Sequence, residues 1–341
     1  EIYKKVMMNA IGNLPPKVTR LVIVPDGPLC LVPFETLLTD DWQTENDYAS
    51  LPFLQSRYII HYATSANLYF TKMNSHRSVR KNRAIAFAPT YSDKELAFIT
   101  KTSKRGKEAS GLIWNKKEVE SIPNYFEASL FLDKEAHERQ FKNQINHHYD
   151  IIHLAMHAII EDEAPLNSRL VFSSAKDSIE DNLLHLYEIY SMKIPSNLVV
   201  LSACETGFGN LAKGEGIMNM GRAFVHAGSP NVIMSLWQVD DRSTSKLMQL
   251  FYEHLATGMS TDRALWLAKK DYLQTADPIY AHPYYWSGII LSGTQGILAK
   301  KDSSSYLIYL YALLAICAFI FFIRISAKKK LSPGTFSYLS K

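Results

Sequence analysis

Short apolar runs rich in β-branched residues recur along the chain and predict β-strands. Several of these runs are apolar at consecutive positions, which is typical of strands buried on both faces of a parallel sheet. We predict strands at residues 21–24, 58–62, 84–88, 130–132, 151–156, 170–172, 198–202, 232–236 and 288–291. Turn residues bound the runs, so each is expected to be a separate strand.

Segments with apolar residues three or four positions apart lie between these runs and predict amphipathic helices. We predict helices at residues 134–145, 217–226, 244–256 and 261–274. This alternation predicts an α/β fold with a mostly parallel sheet flanked by helices. Residues 92–110 are rich in Lys and Ser and predict an exposed loop or linker. We therefore divide the chain into residues 1–105 and residues 106–298.

One run near the end of the chain is different. Residues 306–323 contain no charged residue, glycine or proline, and 18 apolar residues are just enough to span a membrane. A buried core helix is the alternative interpretation. Arg324 and three consecutive lysines begin a basic tail, residues 324–341. This excess of positive charge favours a cytoplasmic tail and an extracytoplasmic domain, with a tail-anchored cytosolic domain as the alternative.

Composition narrows the classes of function. The net charge of +4 on 341 residues is too small to indicate nucleic-acid binding. The apolar fraction of 47% excludes a disordered chain. Three cysteines, Cys30, Cys204 and Cys317, cannot form a disulfide framework, and no spacing of Cys or His predicts a metal site. Because the chain begins at Glu1 and not at Met, we expect it to be part of a longer protein.

Polar side chains follow three of the predicted strands. His157 follows one strand, Cys204 follows a second, and Asp240 and Asp241 come soon after a third. Ligands of open parallel sheets bind beyond the carboxyl ends of the strands, so we expect these residues to share one edge. A thiolate nucleophile and an imidazole are sufficient for acyl transfer. We therefore predict that His157 and Cys204 form a catalytic dyad.

Each of these residues also has a structural interpretation. Cys204 could be a small buried side chain, and His157 could be a core histidine. His153 lies four residues before His157 on the same strand face, and we interpret it as structural. Asp240 and Asp241 could cap the helix that follows them. The alternative is an acidic pocket that binds a basic side chain at substrate position P1, immediately before the scissile bond.

Five segments of this chain resemble the CHAT domain, a caspase-like cysteine peptidase domain usually found after tetratricopeptide repeats. They read HLAMHA (153–158), LVVLSACETGFG (198–209), KGEGIMNMGRAFVHAGSPNVIMSLWQVDD (213–241), LMQLFYEHLATG (247–258) and HPYYWSGIILSG (282–293), and LVIVPDGPLCLVPFETL (21–37) is similar to the N-terminal part of that family. In caspases the histidine lies about 50 residues before the cysteine, and the separation here is 47. The resemblance implies a caspase–haemoglobinase fold related to separase.

By position, the resemblance makes His157 the acid–base residue and Cys204 the nucleophile. The backbone N–H groups of Ala158 and Cys204 would bind the oxyanion, although caspase-like peptidases often have glycine where this chain has Ala158. The resemblance to separase-type peptidases also suggests that Asp240 and Asp241 select a basic P1 residue. The implied activity needs no cofactor and no metal.

The sequence thus predicts a cysteine endopeptidase acting on protein or peptide substrates through an acyl-enzyme. The resemblance implies tetratricopeptide repeats upstream in the parent protein, which would regulate it. A catalytically silent CHAT-fold module that docks partners at a membrane is the alternative. Retention of both His157 and Cys204 favours the enzyme.

Overall fold

A computed structural model describes residues 1–40, 47–74, 82–103, 109–175, 179–203, 207, 210–212 and 216–296 of the chain. Within these residues, eight strands form one sheet. They are β1 (Arg20–Ile23), β2 (Ile59–Tyr62), β3 (Arg83–Ala88), β4 (Glu127–Leu132), β5 (Ile151–Ala155), β9 (Leu198–Ser202), β12 (Asn231–Ser235) and β13 (Ile289–Gly293). All eight were predicted from the apolar runs, with shifts of a few residues at their ends.

The order of strands in this sheet is β1-β2-β13-β12-β9-β5-β3-β4. Neighbouring strands are parallel except at β12 and β13, which pair antiparallel. The three strands that precede the candidate residues are therefore adjacent, in the order β12, β9, β5. The prediction of a mostly parallel α/β sheet is confirmed.

Nine α-helices accompany the strands in the described part of the chain. They are α1 (Met8–Gly12), α2 (Ala66–Asn74), α3 (Asp93–Thr102), α4 (Asn115–Glu120), α5 (Glu138–Gln144), α6 (Leu186–Ser191), α7 (Met220–Ala227), α8 (Asp241–Ala256) and α9 (Thr261–Thr275). Helices α8 and α9 confirm two predicted helices, and α8 begins three residues before its predicted start.

The main sheet has an apolar core on each face. Along β5, Ile152 packs in one core with Phe224 of α7, whereas Ile151 packs in the other core with Phe251 of α8 and Leu265 of α9. Successive residues of a strand point to opposite faces, so consecutive apolar residues are needed when both faces are covered. This double burial explains why β5 is apolar without alternation.

Five short strands form two smaller sheets. They are β6 (His157–Ile159), β7 (Arg169–Val171), β8 (Leu183–His185) and the pair β10 (Asn210–Ala212) with β11 (Gly216–Met218). The run at 170–172 is thus a strand, but it pairs antiparallel with β6 and β8 and does not join the parallel sheet. The helix predicted at 217–226 begins only at Met220, because residues 216–218 pair with β10.

The prediction of an exposed loop at residues 92–110 is wrong for most of that segment. Helix α3 occupies Asp93–Thr102, and Ser92 and Glu95 form a capping box at its start. Helix α5 is shorter than the helix predicted at residues 134–145. His137 caps its start, and the residues before His137 form a separate turn. A capping side chain fixes where a helix begins, and these caps set both starts.

The two predicted divisions of the chain have different outcomes. Residues 1–300 form one compact unit, and strands from both sides of residue 105 belong to the main sheet. The division at 105 stays a prediction. The predicted membrane span at 306–323 and the basic tail at 324–341 lie outside the described residues. Among the described residues, we find no helix with the length and apolar character that crossing a membrane requires.

Candidate active site

The parallel pairing of β5 with β9 relates His157 to Cys204 along the chain. Ala155 of β5 is opposite Ser202 of β9 in the register of the two strands. His157 and Cys204 each follow the paired residue of their own strand by two positions. Cys204 itself lies outside the described residues, so this relationship is one of chain position and not of side-chain contact.

His157 is buried, and its ring nitrogen has a backbone partner. Its Nε2 lies 2.8 Å from the carbonyl oxygen of Ser110. A carbonyl can only accept a hydrogen bond, so Nε2 carries the hydrogen and Nδ1 is the basic nitrogen of the neutral ring. The contact therefore selects one tautomer. Sequence analysis did not identify Ser110, because a backbone carbonyl leaves no signal in the residue type.

The electrostatic environment of His157 keeps its ring neutral. Burial lowers the pKa of His157, and the hydrogen bond to Ser110 raises it by a smaller amount. Burial acts in this direction because the charged imidazolium loses hydration that the fold does not replace. A neutral imidazole can accept a proton at neutral pH, as a general base must.

Tyr91 holds the backbone on which His157 is placed. Its hydroxyl accepts a hydrogen bond from the backbone N–H of His157 at 3.0 Å and donates one to the carbonyl of Val171 at 2.8 Å. The two rings are 4.9 Å apart at 44°. Tyr91 thus links β6 to β7 and packs against the imidazole. Sequence analysis did not identify it, since it lies between predicted elements.

The residues on either side of 204–206 are both held by Ser235, the last residue of β12. Its hydroxyl donates to the carbonyl of Ala203, and its own carbonyl accepts a hydrogen bond from the N–H of Gly207 at 2.8 Å. Ser235 is fully buried. A side chain added at Gly207 would place its Cβ 3.0 Å from the carbonyl oxygen of Ser235, so glycine permits this close approach. Strand β12 therefore fixes Ala203 and Gly207, the residues before and after the segment that contains Cys204.

Ala158, the predicted oxyanion residue, lies next to His157 in β6. It is opposite Leu170 of β7 in the antiparallel register. Its role stays a prediction, because the second predicted oxyanion donor belongs to Cys204.

Asp240 and Asp241 have different environments at the start of α8. Asp240 is the N-cap: its Oδ2 accepts hydrogen bonds from the N–H and the hydroxyl of Ser243, at 2.8 and 2.7 Å. Oδ2 of Asp241 accepts a hydrogen bond from the N–H of Trp114 at 2.6 Å. The capping interpretation is thus confirmed for Asp240, whereas the P1 role of the pair is untested.

Asp241 also has an unusual acidity. Burial raises its pKa to about 6, and the nearby Glu118 and Asp240 carboxylates act in the same direction, while the backbone N–H groups of Trp114 and Ile113 oppose the shift. The two backbone N–H groups therefore do not fully offset the cost of burying the negative charge of Asp241. A positively charged group placed beside it would favour its ionised form.

His153 lies in β5, whereas His157 belongs to β6 of a separate sheet, so the prediction that the two share one face of one strand is wrong. The Nδ1 of His153 is 2.6 Å from the hydroxyl of Tyr252, and its Nε2 is 2.9 Å from a carboxylate oxygen of Glu118. The His153 side chain is fully buried. Both ring nitrogens face groups of α4 and α8, which agrees with the predicted structural role.

One group of carboxylates has the spacing of a metal site. Candidate ligand atoms of Glu138, Glu180 and Glu188 lie within 4.8 Å of one another. The ammonium group of Lys142 contacts all three at 2.8, 2.7 and 2.7 Å. These contacts raise the pKa of Lys142, although burial opposes the shift. The lysine supplies the positive charge that this cluster needs, so the cluster links α5 to α6.

The mostly parallel eight-stranded sheet, with an apolar core on each face, defines an α/β protein with helices flanking the sheet. The chain belongs to the CHAT domain family, whose family model matches residues 1–294. This agrees with the resemblance found in the sequence.

Curated relatives and solved structures give more distant matches. Human tetratricopeptide repeat protein 28 is 28% identical over 130 residues, which are 38% of this chain and 5% of that protein. The chain thus spans about one twentieth of the length of the curated relatives it matches. The complex of the pro- and mature domains of RgpB from Porphyromonas gingivalis has a TM-score of 0.52 at 9% identity, covering 87% of this chain and 69% of that one.

A second solved structure, the separase–securin complex of Saccharomyces cerevisiae, has a TM-score of 0.46 at 13% identity. The match covers 80% of this chain and 15% of the matched chain in that complex. The RgpB match shows a shared fold.

Proposed function

We propose that this chain is a cysteine endopeptidase with Cys204 as nucleophile and His157 as acid and base. The register of β5 and β9 is the observation that carries the proposal, because His157 and Cys204 each follow the paired residues Ala155 and Ser202 by two positions in the chain. The neutral, buried imidazole of His157 supports the role of base. Membership of the CHAT family is consistent with a peptidase-like fold.

The contact with Ser110 assigns the proton transfers. With its Nε2 hydrogen donated to the Ser110 carbonyl, His157 takes the thiol proton of Cys204 on Nδ1. The thiolate attacks the substrate carbonyl carbon, a C–S bond forms, and the carbonyl oxygen becomes an oxyanion. Collapse of this intermediate breaks the C–N bond, and His157 donates the proton to the departing amine. Water, deprotonated by His157, then attacks the thioester carbon: a C–O bond forms, the C–S bond breaks to release the acid product, and His157 returns the proton to the Cys204 thiolate.

The oxyanion requires donors that are in place before the reaction. We assign this role to the backbone N–H groups of Ala158 and Cys204, which adjoin the two dyad residues in the chain. The hydrogen bonds of Ser235 to Ala203 and Gly207 support it, since they fix the chain on both sides of Cys204. Backbone donors tolerate alanine in place of glycine.

We extend the proposal to a preference for arginine at P1. Strand β12 is adjacent to β9, and Asp240 and Asp241 follow β12 beyond the edge where Cys204 follows β9. Asp241 is the stronger candidate, because its carboxylate has a raised pKa and forms no ion pair among the described residues. A guanidinium group can bind a carboxylate through two parallel hydrogen bonds, which favours Arg over Lys.

Cleavage of a peptide library, compared between the full chain and Cys204→Ala, tests the endopeptidase. We expect wild-type cleavage to be lost in Cys204→Ala, while circular dichroism shows an unchanged fold. If neither protein cleaves any peptide and a peptidyl electrophile leaves Cys204 unlabelled, the chain is the silent docking module instead.

The membrane span at 306–323 and the regulation by upstream repeats remain part of this proposal. An uncharged apolar run followed by basic residues supports the span. Deletion of residues 306–323 is expected to move the protein from the membrane fraction into the soluble fraction, with its domain folded. A full chain that is soluble without detergent would contradict the span, and protease accessibility in intact cells separates the two orientations.

A further inference from the structure

A cavity outside the candidate active site lies between α4, α8 and α9, with a volume of about 360 Å³. This volume is within the range of small-molecule sites. Trp114 and Tyr280 contribute aromatic walls, and Lys117, Arg242 and Lys246 contribute positive charge. Asp240 and Asp241 do not line it, but each is hydrogen-bonded to a residue that does, Asp240 to Ser243 and Asp241 to Trp114.

The three cations of this cavity have no carboxylate partners in the described part of the chain. None of the ion pairs there involves Lys117, Arg242 or Lys246. One carboxylate, Asp277, also lines the cavity. Among the side chains that line the cavity, three positive charges face one negative charge, which leaves a positive surplus in the lining itself. Such a surplus attracts anions.

The aromatic walls hold Arg242 in position before any ligand arrives. Its guanidinium carbon is 5.8 Å from the ring centroid of Trp114 and 5.8 Å from that of Tyr280. The ammonium group of Lys117 lies 4.6 Å from the centroid of Trp114. Cation–π contacts of this kind restrict side-chain motion while leaving the hydrogen-bond donors unpaired. A preorganised guanidinium loses less entropy when it binds an anion.

We propose that this cavity binds a small molecule that carries phosphate groups. A phosphate group concentrates about two negative charges and three acceptor oxygens in a compact volume, which matches a lining with three cations better than a single carboxylate does. The cavity lies between three helices and two aromatic rings, and its volume of about 360 Å³ suits a small anion better than an extended acidic chain. The flat rings of Trp114 and Tyr280 also offer apolar surface to the rest of the ligand.

The site is connected to the candidate dyad through a short segment. Trp114, at one end, forms the cavity wall, while the carbonyl of Ser110, four residues earlier, accepts the hydrogen bond from His157. Among the described residues, His157 does not line the cavity, so binding there can be measured apart from catalysis. The proposal therefore stands apart from the proposed peptidase activity.

Isothermal titration calorimetry of the full chain tests the site with pyrophosphate, ATP and adenosine. We expect pyrophosphate or ATP to bind, with an affinity that falls as salt increases. Tighter binding of ATP than of pyrophosphate would identify a nucleotide, and equal binding would identify the phosphate groups alone as the ligand. Cys204→Ala is expected to bind equally well, whatever its peptidase activity.

A double variant, Lys117→Gln with Lys246→Gln, locates the binding. We expect its affinity to fall at least about tenfold, as charge-assisted hydrogen bonds are lost. Lys134→Gln with Lys193→Gln makes the same change of net charge at exposed positions elsewhere and is expected to bind as the wild type does. Both lysine pairs are exposed or line the open cavity, so the fold should survive.

Four results would overturn the proposal. They are no binding of either phosphate compound, equal losses in the two double variants, binding of adenosine alone, and binding of a polyglutamate peptide without binding of either phosphate compound. The last result would instead identify a docking groove for an acidic chain.

Discussion

The Nε2 atom of His157 donates a hydrogen bond to the carbonyl oxygen of Ser110 over 2.8 Å. This single contact fixes the tautomer of the imidazole and leaves Nδ1 as its basic nitrogen. Ser110 precedes α4 by a few residues, so the segment leading into α4 orients the proposed catalytic base.

Tyr91→Phe should weaken the placement of His157 without removing any reacting group. The change deletes the hydroxyl that bridges the His157 N–H and the Val171 carbonyl, and costs about 1 kcal/mol of unfolding free energy. We expect kcat to fall about tenfold with KM little changed, since a misplaced base affects the chemical step. Steady-state kinetics and chemical denaturation measure the two effects.

Tyr187→Phe is the control for this variant, because Tyr187 is half exposed and lies on α6. Equal kcat values for Tyr91→Phe and the wild type would remove Tyr91 from the positioning of His157.

The pH profile of kcat/KM should reflect the lowered pKa of His157. The base must be neutral, so activity is lost as the pH falls through the folded pKa, which burial places below 6.5. We expect the midpoint of the acidic limb below that value, measured on a neutral substrate, with circular dichroism excluding unfolding over the same range. A midpoint above 6.5 would contradict the environment we describe.

Substitutions of Asp240 and Asp241 should distinguish helix capping from substrate specificity. Asn and Asp cap helices equally well, so Asp240→Asn should leave stability nearly unchanged, whereas Asp240→Ala should lose about 1 kcal/mol. We expect Asp241→Asn to reduce the preference for Arg over Leu at P1, since it removes the charge but keeps an acceptor for the Trp114 N–H. Matched Arg and Leu substrates provide the ratio.

If neither substitution changes the Arg/Leu ratio, or if the wild type prefers an apolar P1 residue, the acidic pocket is wrong while the dyad is unaffected. Specificity and chemistry therefore have separate tests.

Asp241 should also make stability depend on pH. Its pKa rises from 3.8 to about 6 in the folded state, so the fold favours the protonated form. The resulting stabilisation is fully present below pH 3.8 and is lost as the pH rises through about 6. Relative to Asp241→Asn, the wild type should be more stable at pH 4.5 than at pH 7.5 in thermal unfolding. A difference between the two proteins that is the same at both pH values would contradict the burial of this carboxylate.

Apolar runs predicted the main sheet well, because a strand buried on both faces needs consecutive apolar residues, as β5 shows. They could not show that residues 170–172 belong to a separate antiparallel sheet, since pairing depends on distant partners. The helix at Asp93–Thr102 was missed although Ser92 and Glu95 have the spacing of a capping box. The capping-box spacing predicts a helix, but the polar composition of the segment favours a loop.

The candidate site was predictable where residue types carry the chemistry and not where the backbone does. His157 and Cys204 stand out because they directly follow apolar strands. Ser110 acts through its carbonyl, which every residue possesses. Ser235 bonds Ala203, which is distant in the chain and becomes a neighbour only in the folded protein.

The alkylation rate of Cys204 tests the central claim, a His157–Cys204 dyad, most directly. Iodoacetamide labelling at pH 7, quantified by mass spectrometry, allows Cys30 to serve as an internal control, because burial raises the pKa of its thiol. We predict that Cys204 reacts at least about tenfold faster than Cys30 and that His157→Gln removes this difference. Labelling of Cys204 at the same rate in the wild type and in His157→Gln would contradict the dyad.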